Sequence, residues 1–197
     1  MDETDKKLFT RLNTFSKEQI INQAFQFHSK GDIPQAAKYY QYLIDRGFKD
    51  HRVFSNYGII LKNHGNLLEA EICQRKAIEL NPNYSSAHCN LGNILRDNGN
   101  LMEAEISIRK AIELKPDMAI AYYNLGLIMR DNGNLTKAEI ATRKAIELQP
   151  DMAIAYYNLG LVMRDNGNLI KAEISTLKAI ELQPDMAIAY YNLGLIL

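Results

Sequence analysis

Tryptophan is absent from the 197-residue chain, and cysteine occurs only twice. Cys73 and Cys89 lack the spacing of a metal ligand set and are too few for a disulfide framework. They read as reduced thiols in a cytoplasmic protein. An excess of charge of either sign is also missing, since 23 Lys plus Arg balance 23 Asp plus Glu. Binding to nucleic acid or to an anionic membrane surface needs a basic excess, so neither is an expected partner. No run of 18 apolar residues occurs, which excludes a membrane-spanning helix. The opening Met1-Asp2-Glu3-Thr4-Asp5-Lys6-Lys7 leads into no apolar segment of the signal-peptide kind. Phosphate-binding glycine loops, nucleophile elbows and metal-ligand clusters are not found. His28, His51, His64 and His88 are scattered, and the carboxylates recur in step with one another, so none stands out as a catalytic acid or base. The expectation is no catalytic residue, no metal, no cofactor and no enzyme activity in this chain.

What is present is a repeat. Asn124-Leu125-Gly126-Leu127-Ile128-Met129-Arg130-Asp131-Asn132-Gly133-Asn134 recurs from Asn158 to Asn168 with one change, Ile128 to Val162. Related copies begin at Asn56, Asn90 and Asn192, and the step is always 34 residues. A fixed period of this size signals a solenoid of stacked units rather than an enzyme core. The boundaries follow: an N-terminal segment 1–16, frayed or partly helical; a degenerate first unit 17–50; regular units 51–84, 85–118, 119–152 and 153–186; and a partial unit 187–197 with one helix. Within each regular unit, Gly65, Gly99, Gly133 or Gly167 ends helix A, and the following Asn66, Asn100, Asn134 or Asn168 caps helix B. Pro82, Pro116, Pro150 and Pro184 stop helix B. Asp117, Asp151 and Asp185 are expected to cap the next helix A. In the first unit, Ser16 with Gln19 has the form of a capping box, and Asp32 caps a helix that accepts Pro34 in its first turn.

These slots carry a family resemblance. In the unit 119–152 they are Tyr122, Leu125, Gly126, Met129, Ala138, Thr142, Ala145 and Pro150, and the unit 153–186 repeats them from Tyr156 to Pro184. The pattern resembles the tetratricopeptide repeat, or TPR. Thr142 and Thr176 depart from it, because a large apolar residue is usual there. The resemblance covers 17–197 and implies an all-α, right-handed superhelical solenoid of helix-turn-helix units. It says little about function, since a fold is a scaffold for sites.

Helical geometry separates two faces of helix A. Tyr122, Leu125, Gly126 and Met129 share the face that packs on Leu135, Ala138, Thr142, Ala145 and Ile146 of helix B. Small residues at Gly126 and Ala138 let the two backbones approach. The other face carries Ile120, Tyr123, Asn124, Leu127 and Asp131, with Arg130 at its edge. The next unit repeats it with Ile154, Tyr157, Asn158, Leu161, Asp165 and Arg164. In TPR superhelices this face lines the concave groove and binds peptides, so the resemblance makes these residues the candidate site. Asn56, Asn90, Asn124, Asn158 and Asn192 form a ladder similar to that of the O-linked N-acetylglucosaminyl transferases. Each carboxamide either pairs with a ligand backbone or bridges neighbouring helices; both roles are open. The Ile, Tyr and Leu residues are either groove wall or inter-repeat packing. Arg96, Arg130 and Arg164 beside Asp97, Asp131 and Asp165 are either mutual ion pairs or selectors of ligand charge. The groove slots hold Ser55, Cys89, Tyr123, Asn93 and Leu127 where the chaperone-binding members need cations, so a chaperone tail is not an expected ligand. Helix B's outer pairs, Glu105 with Arg109 and Glu139 with Arg143, are assigned no role beyond surface ion pairing.

The units 119–152 and 153–186 differ at only four positions, Ile128/Val162, Thr136/Ile170, Ala141/Ser175 and Arg143/Leu177. Such near-copies suggest recent duplication or a designed array. The last helix exposes Tyr190, Leu193 and Leu197, so self-association to a homodimer through that helix is expected, unless the chain is a fragment of a longer protein. Three readings compete. The first is a non-catalytic scaffold for a protein or peptide partner, the second the targeting half of a larger transferase, and the third a self-assembling structural protein.

Overall fold

The computed structural model describes residues 12 and 14–196. Their regular structure consists of eleven α-helices, without a strand among the described residues. These are α1 (Lys17–Ser29), α2 (Ile33–Asp45), α3 (His51–Asn63), α4 (Leu67–Leu80), α5 (Ser85–Asp97), α6 (Leu101–Leu114), α7 (Ala119–Asp131), α8 (Leu135–Leu148), α9 (Ala153–Asp165), α10 (Leu169–Leu182) and α11 (Ala187–Ile196). Odd-numbered helices are A helices and even-numbered ones B helices. Most of the N-terminal segment 1–16, and Leu197, lie outside the described residues.

Local chemistry accounts for the helix boundaries. Gly65, Gly99, Gly133 and Gly167 each take a positive φ between 74° and 80°, a conformation a side chain would strain. The carboxamide oxygens of Asn66, Asn100, Asn134 and Asn168 accept from the backbone N–H three residues on, at 3.1–3.4 Å. Ser16 and Gln19 form the reciprocal capping box, and Asp32 caps α2.

The start of helix A differs from the sequence expectation. Asp117 and Asp151 do not cap α7 and α9; the cap positions are Met118 and Met152, which offer no side-chain hydrogen bond. Pro-Asp forms a turn, and the following methionine is turned inward. Met152 packs with Ala145 and Ala155, and Met186 with Ala153, Ala179 and Ala189. Burying a methionine side chain is worth ~1.5–3 kcal/mol, more than the ~1 kcal/mol of a typical cap.

The chain divides into two compact units, residues 1–90 and 91–197. In the first, α1 packs on α2, α2 on α3 and α3 on α4. Its core gathers Ile21, Tyr40, Leu43 and Val53, and burial pushes the Tyr40 phenol up to about 12. In the second, α6 packs on α7, α7 on α8, α8 on α9, α9 on α10 and α10 on α11. The A helices α7, α9 and α11 also touch in succession. Glycine sets the A–B spacing: a Cβ on Gly126 would collide with Thr142 Oγ1, and one on Gly92 would stand 2.6 Å from Ile108 Cδ1.

Candidate functional site

The face of α7 and α9 turned away from their own B helices carries the residues singled out above. In the 91–197 unit the row runs Ile120, Ile154, Ile188; then Tyr123, Tyr157, Tyr191; then Leu127, Leu161, Leu195. Ile120 is 40% exposed, Ile188 54%, Tyr191 69% and Leu195 55%, while Tyr123, Leu127, Ile154, Tyr157 and Leu161 are half-buried. Ile154 and Tyr157 pack beside Ala153 and Met186, so part of this row is also inter-unit packing. Burial raises the Tyr123 phenol above its usual value against the pull of nearby Arg96.

A ribbon of ion pairs borders the row. Arg96 Nε donates to Asp131 Oδ2 at 2.5 Å and Arg130 Nε to Asp165 Oδ2 at 2.7 Å, each linking one unit to the next. Arg164 Nη2 donates to Asp165 Oδ1 at 3.1 Å and its Nη1 to Asn192 Oδ1 at 2.6 Å. Burial alone would raise the Asp165 carboxyl, but the hydrogen bonds and charges of Arg130 and Arg164 outweigh it and hold it below the usual carboxylate range.

The asparagine ladder lies deeper than the row. Asn124, Asn158 and Asn192 are each 1% exposed, and Asn56 and Asn90 are half-buried. Asn158 Nδ2 donates to Thr142 Oγ1 at 2.9 Å, and Asn192 Nδ2 to Thr176 Oγ1 at 3.2 Å. In the 1–90 unit, Asn56 Nδ2 donates to the Tyr40 hydroxyl at 3.3 Å and Asn90 Nδ2 to Ser55 Oγ at 3.2 Å. Ser55 in turn donates to Gln74 Oε1 at 2.9 Å. Each of these carboxamides therefore ties a helix A back to the preceding unit. Asn158 Oδ1 is buried without a hydrogen-bond partner.

The sequence reading missed the acceptors. Tyr40, Thr142 and Thr176, which accept from the asparagine sixteen residues on, share one slot with Gln74 and Ile108 at 34-residue steps, and four of the five are polar. Thr142 and Thr176 register in the sequence only as departures from the apolar norm. The readable signal was a polar residue in a core slot sixteen positions ahead of an asparagine. At the proposed self-association helix, Tyr190 is 49% exposed and Leu193 half-buried, while Leu197 lies outside the described residues.

The helix pairs, their spacing and the glycine crossings agree with a comparison to known families. The tetratricopeptide repeat matches residues 51–84 and 153–186, residues 119–152, and the overlapping stretches 73–106 and 92–133. The chain belongs to the tetratricopeptide-repeat family. This TPR chain is accordingly a solenoid of the protein-interaction scaffold type. No curated relative matches it by sequence. Among solved structures it is similar in fold to MamA, residues 41 to the end, from Desulfovibrio magneticus RS-1, at 24% identity and TM-score 0.71, covering 86% of this chain and 96% of that one. It is also similar to YrrB, described as a TPR protein with an unusual peptide-binding site, at 22% identity and TM-score 0.67, covering 96% and 97%. The thermophilic TPR protein TTC0263 of Thermus thermophilus aligns at 17% identity and TM-score 0.77, covering 92% and 98%.

Proposed function

We propose that this TPR chain is a non-catalytic cytoplasmic scaffold that holds an extended or helical peptide segment of a partner protein along the A-helix row. The observation that carries this reading is the row of Ile, Tyr and Leu repeated from α7 through α9 to α11, bordered by Arg130, Asp131, Arg164 and Asp165. Ile120 is 40% exposed there, and Tyr123, Leu127, Ile154, Tyr157 and Leu161 stay half-buried rather than enclosed. A partner with apolar side chains at matching intervals would fill the spaces between them, and the ribbon of charges would set its register. The ladder contributes less through direct contact than through spacing, because the bonds of Asn158 and Asn192 join successive units. YrrB, which shares the fold and is described as having an unusual peptide-binding site, supports a peptide ligand. The test is peptide-array capture followed by the double variant Tyr123→Ala/Tyr157→Ala. Loss of the captured peptides with an unchanged helical spectrum supports the reading; full retention overturns it.

A second reading rests on α11. Gly194 has nothing within 4 Å of an added Cβ, whereas the equivalent Gly126 and Gly160 have a B helix against them. Tyr190 and Leu193 flank this notch, and a helix of a second copy would fit it. A homodimer by light scattering that becomes monomeric in Tyr190→Ser/Leu193→Ser supports it; a monomeric mass at every concentration sinks it.

A further inference from the structure

The opposite side of the 91–197 unit, along the B helices, carries two clefts. Between α6 and α8, above α7, opens a cleft of about 600 Å³. Its floor is Tyr122, Leu125 and Met129, and Ile140 stands at its wall. One unit on, a cleft of about 450 Å³ repeats the plan above α9, with Tyr156 and Leu159 below and Ile174 and Leu177 beside it. Ile140, Ile174 and Leu177 are 64%, 62% and 45% exposed. Neither the pairing of helices within a unit nor the stacking of units requires apolar side chains at these outward positions.

The charges around the first cleft are unequal. Arg109, Lys137, Arg143 and Lys144 line it against a single carboxylate, Glu147. Arg109 and Arg143 are paired with Glu105 and Glu139 on their own helices, and Lys144 with Glu147. These are exposed i,i+4 and i,i+3 pairs, so an incoming carboxylate can compete for their cations at little cost. The Lys137 ammonium has no ion-pair partner among the described residues. Its backbone N–H is the one capped by Asn134, in the first turn of α8, where the helix dipole disfavours a cation. The equivalent position is Glu69 in α4 and Glu103 in α6, the residue type a helix N-terminus favours. Lys137 therefore works against its own helix while adding positive charge to the cleft.

We infer that the B-helix face binds an acidic, amphipathic segment of a partner protein, with bulky apolar side chains entering the successive clefts and carboxylates meeting Lys137 and Arg143. Two clefts in line suit one continuous segment better than a separate small ligand. The inference stands apart from the A-helix row, and its test does not depend on that row having a ligand.

The experiment is fluorescence anisotropy with the full chain and a labelled peptide of about twelve residues that alternates Glu with Leu and Phe. The peptide is expected to bind, to weaken as salt rises, and to lose at least about tenfold in affinity against Lys137→Glu/Ile140→Ser. Peptides with Lys for Glu, or Ser for Leu and Phe, are expected not to bind. The inference is overturned by no binding up to about 1 mM peptide, by equal binding to the double variant, or by loss of binding to Tyr123→Ala/Tyr157→Ala instead. A chain whose own dimerisation is abolished by Ile140→Ser would identify the occupant as a second copy and overturn the partner-segment assignment. Because glutamate already stands at the equivalent positions 69 and 103, the variant is expected to fold, and circular dichroism provides the check.

Discussion

At the scale of single residues, Thr142 shows how one hydroxyl in a core slot governs its surroundings. It is fully buried, accepts from Asn158 Nδ2, and lies where a Cβ on Gly126 would have to go. Thr142→Val keeps the volume and removes the acceptor, stranding a buried carboxamide whose Oδ1 already lacks a partner. The expected loss is about 1–3 kcal/mol, read from the urea midpoint. Combined with Asn158→Ala, the second substitution should add less than its single-variant cost, since the two groups share one bond. The glycines provide a matched pair. Gly126→Ala should cost about 1–3 kcal/mol, because its Cβ meets Thr142 Oγ1 and lies 3.3 Å from Asn158 Nδ2. Gly194→Ala has open space around it and should be neutral or gain up to about 1 kcal/mol from helix propensity, provided α11 has no partner helix in the sample.

At the scale of the element, the B helices start on a local side-chain cap and the A helices α7 and α9 start without one. Asn134→Ala removes the cap of α8 and should cost about 1 kcal/mol, whereas Asp151→Ala should cost nothing through capping, since the cap position of α9 is Met152. Thermal melts of the two variants side by side would check this. Lys137→Glu should stabilise α8 by about 0.3–1 kcal/mol, as a carboxylate near a helix N-terminus does. In α6 the equivalent Glu103 also accepts from Asn100 Nδ2 at 3.1 Å. A substitution that raises the melting temperature while abolishing acidic-peptide binding would be hard to explain by damage to the fold.

At the scale of the whole molecule, the stacked design makes stability a sum of units and interfaces, with the poorly covered element opening first. The amides of α11, with Ile188, Tyr190, Tyr191 and Leu195 exposed, should exchange with solvent faster than those of α7 and α9. Equal protection across the three would show that α11 is covered in solution. The unit-to-unit ion pairs add a pH dependence. The Asp165 carboxyl is held below its ordinary 3.8, so its contribution is fully present above that value and is lost as pH falls through the lower folded pKa. Asp165→Asn should therefore flatten part of the acid limb of the stability curve and leave the slope above about pH 5 unchanged, as equilibrium unfolding across the pH range would show.

The sequence by itself determined that this chain is an all-α array of TPR units, where the helices turn at Gly65, Gly99, Gly133 and Gly167, and which face of each helix meets its partner. Those features are written locally, in a left-handed backbone, a capping carboxamide, a missing proline N–H and an apolar stripe at helical spacing. Only the tertiary structure decided where Asn158 and Asn192 place their hydrogen bonds, because their acceptors lie sixteen residues away on another helix. It also decided that Met152 rather than Asp151 heads α9, a contest between burial and capping that depends on what the neighbouring unit supplies. The clefts beside Ile140 and Ile174 were invisible in the sequence for the same reason. Periodicity gives the direction of a side chain from its own helix axis, but the width left between successive B helices is set by packing.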